Sequence, residues 1–581
     1  MAAASATAVV LLAAAPAAAD DHTGPPTVTA DDVQFTPGTQ LRAGTAQQAG
    51  LVPQYVDRLR GTIAQHLQPE PTHPEYAGAV ELVARDGVIA SNEAVGKALQ
   101  YSGYDATTRQ ATELPADQQI PMRPDTIFDL ASMSKLFTSM AAVQLIQQGR
   151  IDLNAPVAKY VPAFAQNGKG DITVRNVLTH TAGLPPDPSP SLCTYADNDQ
   201  RWAAVNAIKP TAPPGTTYVY SDVSMMATQE VIEAVTGKTL DAVVRDQITA
   251  PLGLHDTMYN PPRSLWPRIA ATEYQPWTGR TMIQGTVHDE NAYCLGGVAG
   301  HAGVFSTAHD IAVLAQTILN GGTYGNARIM SPDYVRLLMT NYNQDFPGDS
   351  HGLGYELDQR WYMDGLSSPV TMGHTGYTGT SIVIDPLSHS FVILLTNRVH
   401  PTRDWISSNN PSRRDVARDL ALAVPVKPAE GGQAWFSGTG DRRTATLGLP
   451  LSVPATGGRV SFDLWYDTEE GFDIGSLQAS TDGGATWSNV PMQLRSGANS
   501  WSSDGTFSGF DAKRWSSVSA NLPGGVTNLR WRYTTDSLYE GRGVYVDGVR
   551  AWDSAGNLLF DESRGGAEAA FQADGWSLSS T

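Results

Sequence analysis

The sequence predicts an α/β (α+β) unit, in which an antiparallel sheet is flanked by a mostly helical lobe, followed by a separate all-β sandwich. Three observations predict it. Gly78–Ala90 holds two apolar, β-branched runs around Asp86-Gly87, a turn dipeptide that reads as a hairpin. Near the other end of the unit, Thr380–Ile384 and Phe391–Thr396 flank Asp385-Pro386-Leu387-Ser388-His389, a second hairpin signal. Strands at both ends with helices between imply a sheet assembled from the termini and a helical insert. The third observation is a change of character near residue 426, where Gly, Ser, Thr and Trp with period-two alternation take over.

Taken in order, Met1–Ala19 is uncharged and alanine-rich and ends Ala17-Ala18-Ala19 before Asp20-Asp21. That matches the apolar core and small-residue cleavage site of a secretory signal peptide, although the usual basic start is missing. Residues 20–49 are polar with Pro and Gly, and read as a flexible lead-in. The α+β unit is expected at 50–425, beginning with a helical segment at Val56–Leu67. Ser132 opens a helical run to about Gln148, in which Leu136, Met140, Val143 and Ile146 recur at helical spacing and Gly149 provides the stop. Met225–Val235 is a further helix, ended by Gly237. Residues 426–431 read as a Pro/Gly-containing linker, and 432–581 as the sandwich. In that last region Val460, Phe462, Leu464 and Tyr466 share one face, as do Leu529, Trp531 and Tyr533.

The chain of 581 residues is long enough for two cores, and its net charge of −19 contains no basic block. Nucleic acid and anionic membrane surfaces are therefore poor partners. No stretch reaches eighteen consecutive apolar residues, so a membrane span is not expected and secretion is. Cys193 and Cys294 are the two cysteines. In an oxidising compartment they can form one disulfide, but spacing alone does not show that they meet.

The chemistry is expected at Ser132-Met133-Ser134-Lys135. Residues at i and i+3 share a face of one helical turn. A serine hydroxyl needs a neighbour to take its proton, and a neutral lysine amine can do so. A helix N-terminus helps by disfavouring a second positive charge. An isolated Ser-x-x-Lys is more often a capping serine and a solvated lysine. Here two further stretches follow: Tyr220-Ser221-Asp222 on a loop before a helix, and Gly373-His374-Thr375-Gly376-Tyr377 entering the second hairpin.

Together the three stretches resemble the signature of the serine β-lactamase and penicillin-binding superfamily, in its class C-like branch of carboxypeptidases and esterases. Ser132-x-x-Lys135 matches Ser-x-x-Lys, Tyr220-Ser-Asp222 matches Tyr-x-Asn, and His374-Thr-Gly376 matches Lys/His-Thr-Gly. Val177–Leu184 and the glycine-rich Leu295–Gly303 are also similar. The resemblance implies a β-lactamase/transpeptidase-like fold, Ser132 as nucleophile of an acyl-enzyme, and Lys135 with Tyr220 as its base. It further implies an oxyanion hole from the Ser132 and Tyr377 backbone amides, substrate lying along Thr375 and Gly376, and no metal or organic cofactor.

Two positions depart from the pattern. Asp222 stands where asparagine is usual, and a carboxylate near Lys135 raises the lysine pKa and opposes a neutral base. Either Asp222 turns away or Tyr220 carries more of the proton transfer. His374 stands where most β-lactamases have lysine, and a neutral imidazole supplies no permanent cation for a substrate carboxylate. The expected substrate is therefore a small uncharged ester, with D-alanyl-D-alanine peptides or β-lactams as alternatives. A cell-surface or glycan-binding protein with an inactive enzyme lobe is the other class of reading, and intact Ser132, Lys135 and Tyr220 oppose it.

No His-Glu-x-x-His helix or phosphate loop is present. His288, His301 and His309 read as loop and polar-contact residues. The sandwich resembles modules of secreted immune inhibitor A-type peptidases, carried by Ala479–Trp487 and Val544–Val549. Asp473, Asp482 and Asp547 are candidate calcium ligands there, though turn aspartates are commoner.

Overall fold

The computed structural model describes residues 22–406 and 410–581. The expected signal segment, residues 1–19, lies outside the described residues. The first unit is built on an eight-stranded sheet whose central strands come from the two predicted hairpins. Gly78–Arg85 pairs antiparallel with Val88–Leu99 on one side and with Ser390–Thr396 on the other. Ser381–Asp385 and Met372–Thr375 follow outward, then the short Glu356–Leu357. N-terminal and C-terminal strands are thus neighbours, and the chain between them forms the helical lobe.

Every residue of Ser381–Asp385 and Ser390–Thr396 is buried. Such strands read as continuous apolar runs because helices cover both faces of the sheet. Ala308–Leu319 packs on one face. On the other lie Leu59–Gln65 and Pro411–Ala423. The predicted helix at Val56–Leu67 is two short helices, Pro53–Asp57 and Leu59–Gln65.

Residues 20–49 are not a loose lead-in over their described part. Arg42–Ala43 adds a parallel strand beside Val88–Ile89. Val28, Ala30 and Val33 are buried in the main core, and the Thr36 amide donates to Leu319 O at 2.9 Å. Polar composition misled here, because a few alternate apolar side chains and main-chain bonds are enough to dock an extended segment on a sheet edge.

The second unit is an all-β sandwich of a six-stranded sheet and a nine-stranded sheet, the latter counting the N-terminal strand His22–Thr23, which pairs in parallel with Asn499–Ser503. Ser516–Leu522 alternates strictly between buried and exposed residues, and Asn528–Thr534 between partly buried and buried ones. Phe462 and Trp531, one from each sheet, meet edge to face at 5.2 Å. Residues 426–431 are packed rather than free: Val426 is buried, and the Glu430 amide donates to Asp547 Oδ2 at 3.0 Å. The seam between the units is polar and closely knit. Arg360 pairs with fully buried Asp467 at 3.0 Å, and Arg418 bridges Asp364 at 2.9 Å and Glu540 at 3.4 Å.

Of the aspartates considered as calcium ligands, Asp482 accepts from Thr486 and Ser480 within its own turn, and Asp547 accepts from Gly548 and Glu430. Asp473 stands with Glu469 and Asp536 in a three-carboxylate cluster. It already accepts from the Asp536 amide and the Tyr533 hydroxyl.

Candidate active site

Ser132 sits in a single 3-10 turn, Ala131–Met133, that leads into the helix Ser134–Gln147. The preceding Ala131 has φ +47°, a left-handed conformation that costs a residue with a β-carbon on the order of 1–3 kcal/mol. Surrounding bonds hold it there. Buried Asp129 takes the Ala131 amide on Oδ1 at 2.9 Å and the His288 amide on Oδ2 at 2.6 Å. Thr378 and Thr380 donate their hydroxyls to Asp129 O and Leu130 O, tying the turn to the strand loop opposite. Gly376 is needed for that approach, since a β-carbon would fall 2.1 Å from Thr380 Oγ1 and 2.3 Å from Leu130 O.

Ser132, Lys135, Tyr220 and Asp222 come together. Lys135 is 1% exposed, and its Nζ donates to Ser132 Oγ at 2.8 Å and to His301 O at 3.3 Å. The ammonium also lies 4.8 Å from the centre of the Tyr220 ring. Asp222, first residue of the helix Asp222–Thr236, does not turn away: its Oδ1 is 2.7 Å from Nζ. The contact is an ion pair rather than an aligned hydrogen bond. Burial favours a neutral Lys135, but the charges of Asp222 and Tyr220 outweigh it and push the lysine above its ordinary range. Burial likewise pushes the Tyr220 phenol up to about 12, against the pull of Lys135. The resting site therefore holds an ammonium and a neutral phenol around the serine hydroxyl, and a proton must leave this pair before either group can act as base.

His374, on the strand Met372–Thr375, is 1% exposed and donates Nδ1–H to Thr375 O at 2.7 Å. Burial, reinforced by Lys135, depresses it to about 3, so it is neutral. His180 lies 4.8 Å and His374 6.0 Å from the Tyr220 ring centre. His180 is also pushed well down by burial, so neutral imidazoles wall the tyrosine. Thr375 and Gly376 line a cavity of about 370 Å³ that opens at Ser132. Tyr377 is half exposed at its rim. Among the described residues, no acceptor takes the Ser132 or Tyr377 backbone N–H, which leaves both donors available to a substrate oxygen.

On the other side of Ser132 a larger cavity of about 940 Å³ reaches Cys193 and Cys294, which the structure joins in a disulfide. His301, read from sequence as a loop residue, belongs to this wall. Its Nε2 lies 3.0 Å from Asp289 Oδ1, and Asp289 and Asp222 raise its pKa against burial. Asp222, Asp289 and His301 bring metal-ligand atoms within 4.8 Å of one another. Lys135 already pairs with Asp222 and His301 with Asp289, so the trio reads as a polar network.

Sequence reasoning also missed Arg398 and Arg413, which line the smaller cavity with Ser132 and Tyr220. Both donate to Asn410 Oδ1, at 2.8 and 3.0 Å. Arg413 further donates to Gly376 O at 2.7 Å and Thr380 O at 3.0 Å, fixing it against the substrate strand. Burial and the Arg398 charge both press on Arg413, yet an arginine stays protonated at neutral pH. Glu356 shares the cavity, and burial raises it to about 7, so it offsets only part of the positive charge. No local motif announces these arginines, because they reach the site through the packing of the final helix.

This fold and this serine–lysine–tyrosine cluster define a serine hydrolase. A β-lactamase family model matches residues 63–417, and the chain belongs to that family. An immune inhibitor A-like MAM domain model matches residues 406–581. A putative D-alanyl-D-alanine carboxypeptidase of Escherichia coli K12 is 34% identical over 355 residues, covering 56% of this chain and 79% of that one. The protein described in the same words in Salmonella typhimurium is 34% identical over 391 residues, covering 62% and 86%. The structure of a class C β-lactamase from Rhodobacter sphaeroides aligns with a TM-score of 0.47 at 22% identity, over 63% of this chain and 97% of that one.

Proposed function

We propose that the protein is an exported acyl-transfer hydrolase whose substrate presents a carboxylate beside the scissile bond, as a D-alanyl-D-alanine peptide does. The observation that carries this reading is the pair Arg398 and Arg413 in the cavity that opens at Ser132. Two guanidinium groups a short step from the nucleophile are suited to a carboxylate, which they bind in planar, charge-assisted fashion. The expectation of an uncharged ester rested on His374 and Asp222 together, a neutral imidazole beside an added negative charge. His374 is indeed neutral, but the arginines supply what it lacks. Similarity to proteins described as putative D-alanyl-D-alanine carboxypeptidases supports the same choice. The disulfide and the alanine-rich Met1–Ala19 stretch support export.

In this reading Ser132 attacks the carbonyl and its proton passes to the Tyr220–Lys135 pair, which returns it to the leaving amine. The Ser132 and Tyr377 amides receive the oxyanion; such donors are typically worth about a hundred- to a thousandfold each. Thr375 aligns the peptide along the strand edge. The test is a substrate pair, an acyl-D-Ala-D-Ala peptide with a free and with a methylated terminal carboxylate. The free acid should be preferred by about a hundredfold in kcat/KM, equivalent to ~2.7 kcal/mol in the transition state. Equal rates, or preference for the methylated peptide, would reject the carboxypeptidase reading in favour of an esterase.

A further inference from the structure

The chain carries a net charge of −19, yet its two units meet around a cavity of about 620 Å³ whose wall runs strongly the other way. Five basic residues line it, Arg85, Lys427, Lys513, Arg514 and Arg542, against one carboxylate, Asp385. Asp385 already accepts from Ser388 at 2.7 Å and faces Lys513 at 3.4 Å. Arg85 is engaged with main-chain carbonyls, donating to Gly50 O at 2.7 Å and Ser388 O at 3.0 Å. Lys427 and Arg514 stand exposed and form no ion pair among the described residues.

Arg542 is the telling residue. It is 4% exposed, and no carboxylate pairs with it among the described residues. Its Nη2 reaches Leu422 O at 3.4 Å, and the guanidinium lies 5.1 Å from the Phe436 ring centre and 5.3 Å from that of Tyr545. Its Nε and Nη1 make no well-aligned hydrogen bond, although the Tyr545 hydroxyl stands close enough to interact with the guanidinium. Aromatic faces and one long carbonyl contact compensate a buried cation only in part, and buried charges are ordinarily paired. A buried guanidinium in the wall of a cavity, with no carboxylate to balance it, calls for an anionic partner.

We propose that this seam binds a phosphate-type oxyanion, either free or as a phosphate monoester. Arg542 would hold it from within, Lys427 and Arg514 would close on it from the surface, and the ligand would clamp the sandwich to the hydrolase unit. A phosphate fits better than a monocarboxylate because it brings up to two charges and three or four acceptor oxygens to several converging cations. The place is separate from the active site. It lies at the Asp385 end of the strand Ser381–Asp385, whereas the Ser381 end pairs with Thr375 beside the nucleophile. Trp515 Nε1 donates to Lys427 O at 2.9 Å, so the cavity mouth is built and not a gap between loose loops.

The test is thermal unfolding of the full chain titrated with low-millimolar inorganic phosphate and, separately, glycerol phosphate, each against sodium chloride at equal ionic strength. A ligand that binds only the folded state raises the midpoint saturably, here by about 3 °C or more. General salting-out by phosphate does not saturate and does not depend on particular side chains. The double variant K427E/R514E, both positions exposed, should melt near wild type without ligand and lose the saturable rise. If glycerol phosphate acts and inorganic phosphate does not, the site takes the ester form; the converse assigns the free ion. No rise beyond chloride, or the same rise in the variant, overturns the proposal.

Discussion

Replacing Ser132 with alanine should lower kcat/KM by on the order of 10⁴- to 10⁶-fold, the range expected when the nucleophile of a cooperating catalytic cluster is removed. Stability should hardly move. The serine makes no capping hydrogen bond to the helix it precedes. Its Oγ accepts from Lys135, which keeps Asp222 and His301 O as partners. One hydrogen bond of this kind is worth about 1 kcal/mol net. Steady-state kinetics with parallel melting curves check both halves. Wild-type turnover in this variant would place the chemistry elsewhere.

The second large effect concerns Asp222 and pH. Acylation needs a base, and the groups nearest Ser132 Oγ rest as a charged lysine and a neutral phenol. Asp222 raises both of them, and Lys135 sits above its ordinary value because of that carboxylate and Tyr220. A base that must first lose a proton is scarcer at low pH. Wild-type kcat/KM should therefore climb roughly tenfold per pH unit between pH 7 and 9. Asp222→Asn removes the charge and keeps the shape, leaving burial to pull the lysine down. The rising limb should shift at least about one unit toward acid, each unit corresponding to ~1.4 kcal/mol of differential stabilisation. At pH 7 the variant should be faster than wild type wherever acylation limits the rate. A pH profile from 6 to 10 checks this, and an unmoved limb would mean that neither Lys135 nor Tyr220 is the titrating base.

Much of this arrangement was legible in sequence because its parts are local. Ser132 and Lys135 lie one turn apart, Tyr220 and Asp222 open a helix, and His374-Thr375-Gly376 ends on a turn into a hairpin whose alternation is plain. The same locality made the sheet legible, since both hairpins carry their turn residues with them. What escaped was decided by long-range packing. Whether Asp222 faced Lys135 depended on how the helix Asp222–Thr236 lies against the helix Ser134–Gln147, which no spacing reveals. Arg413 enters the cleft only because Pro411–Ala423 packs under the sheet and presents it to Gly376 O and Thr380 O. His301 looked like any loop histidine until Asp289 came to it from the next segment. The docked segment 28–43 and the knit seam at Arg360–Asp467 were hidden for the same reason.

An acyl-enzyme on Ser132 is open to test by covalent trapping. The full chain is incubated with a fluorophosphonate, digested and mapped by mass spectrometry, alongside Ser132→Ala. A single stoichiometric adduct is expected on the peptide containing Ser132, with loss of hydrolysis in step with labelling and no adduct in the variant. An adduct on another serine, or undiminished hydrolysis after complete labelling of Ser132, would contradict it.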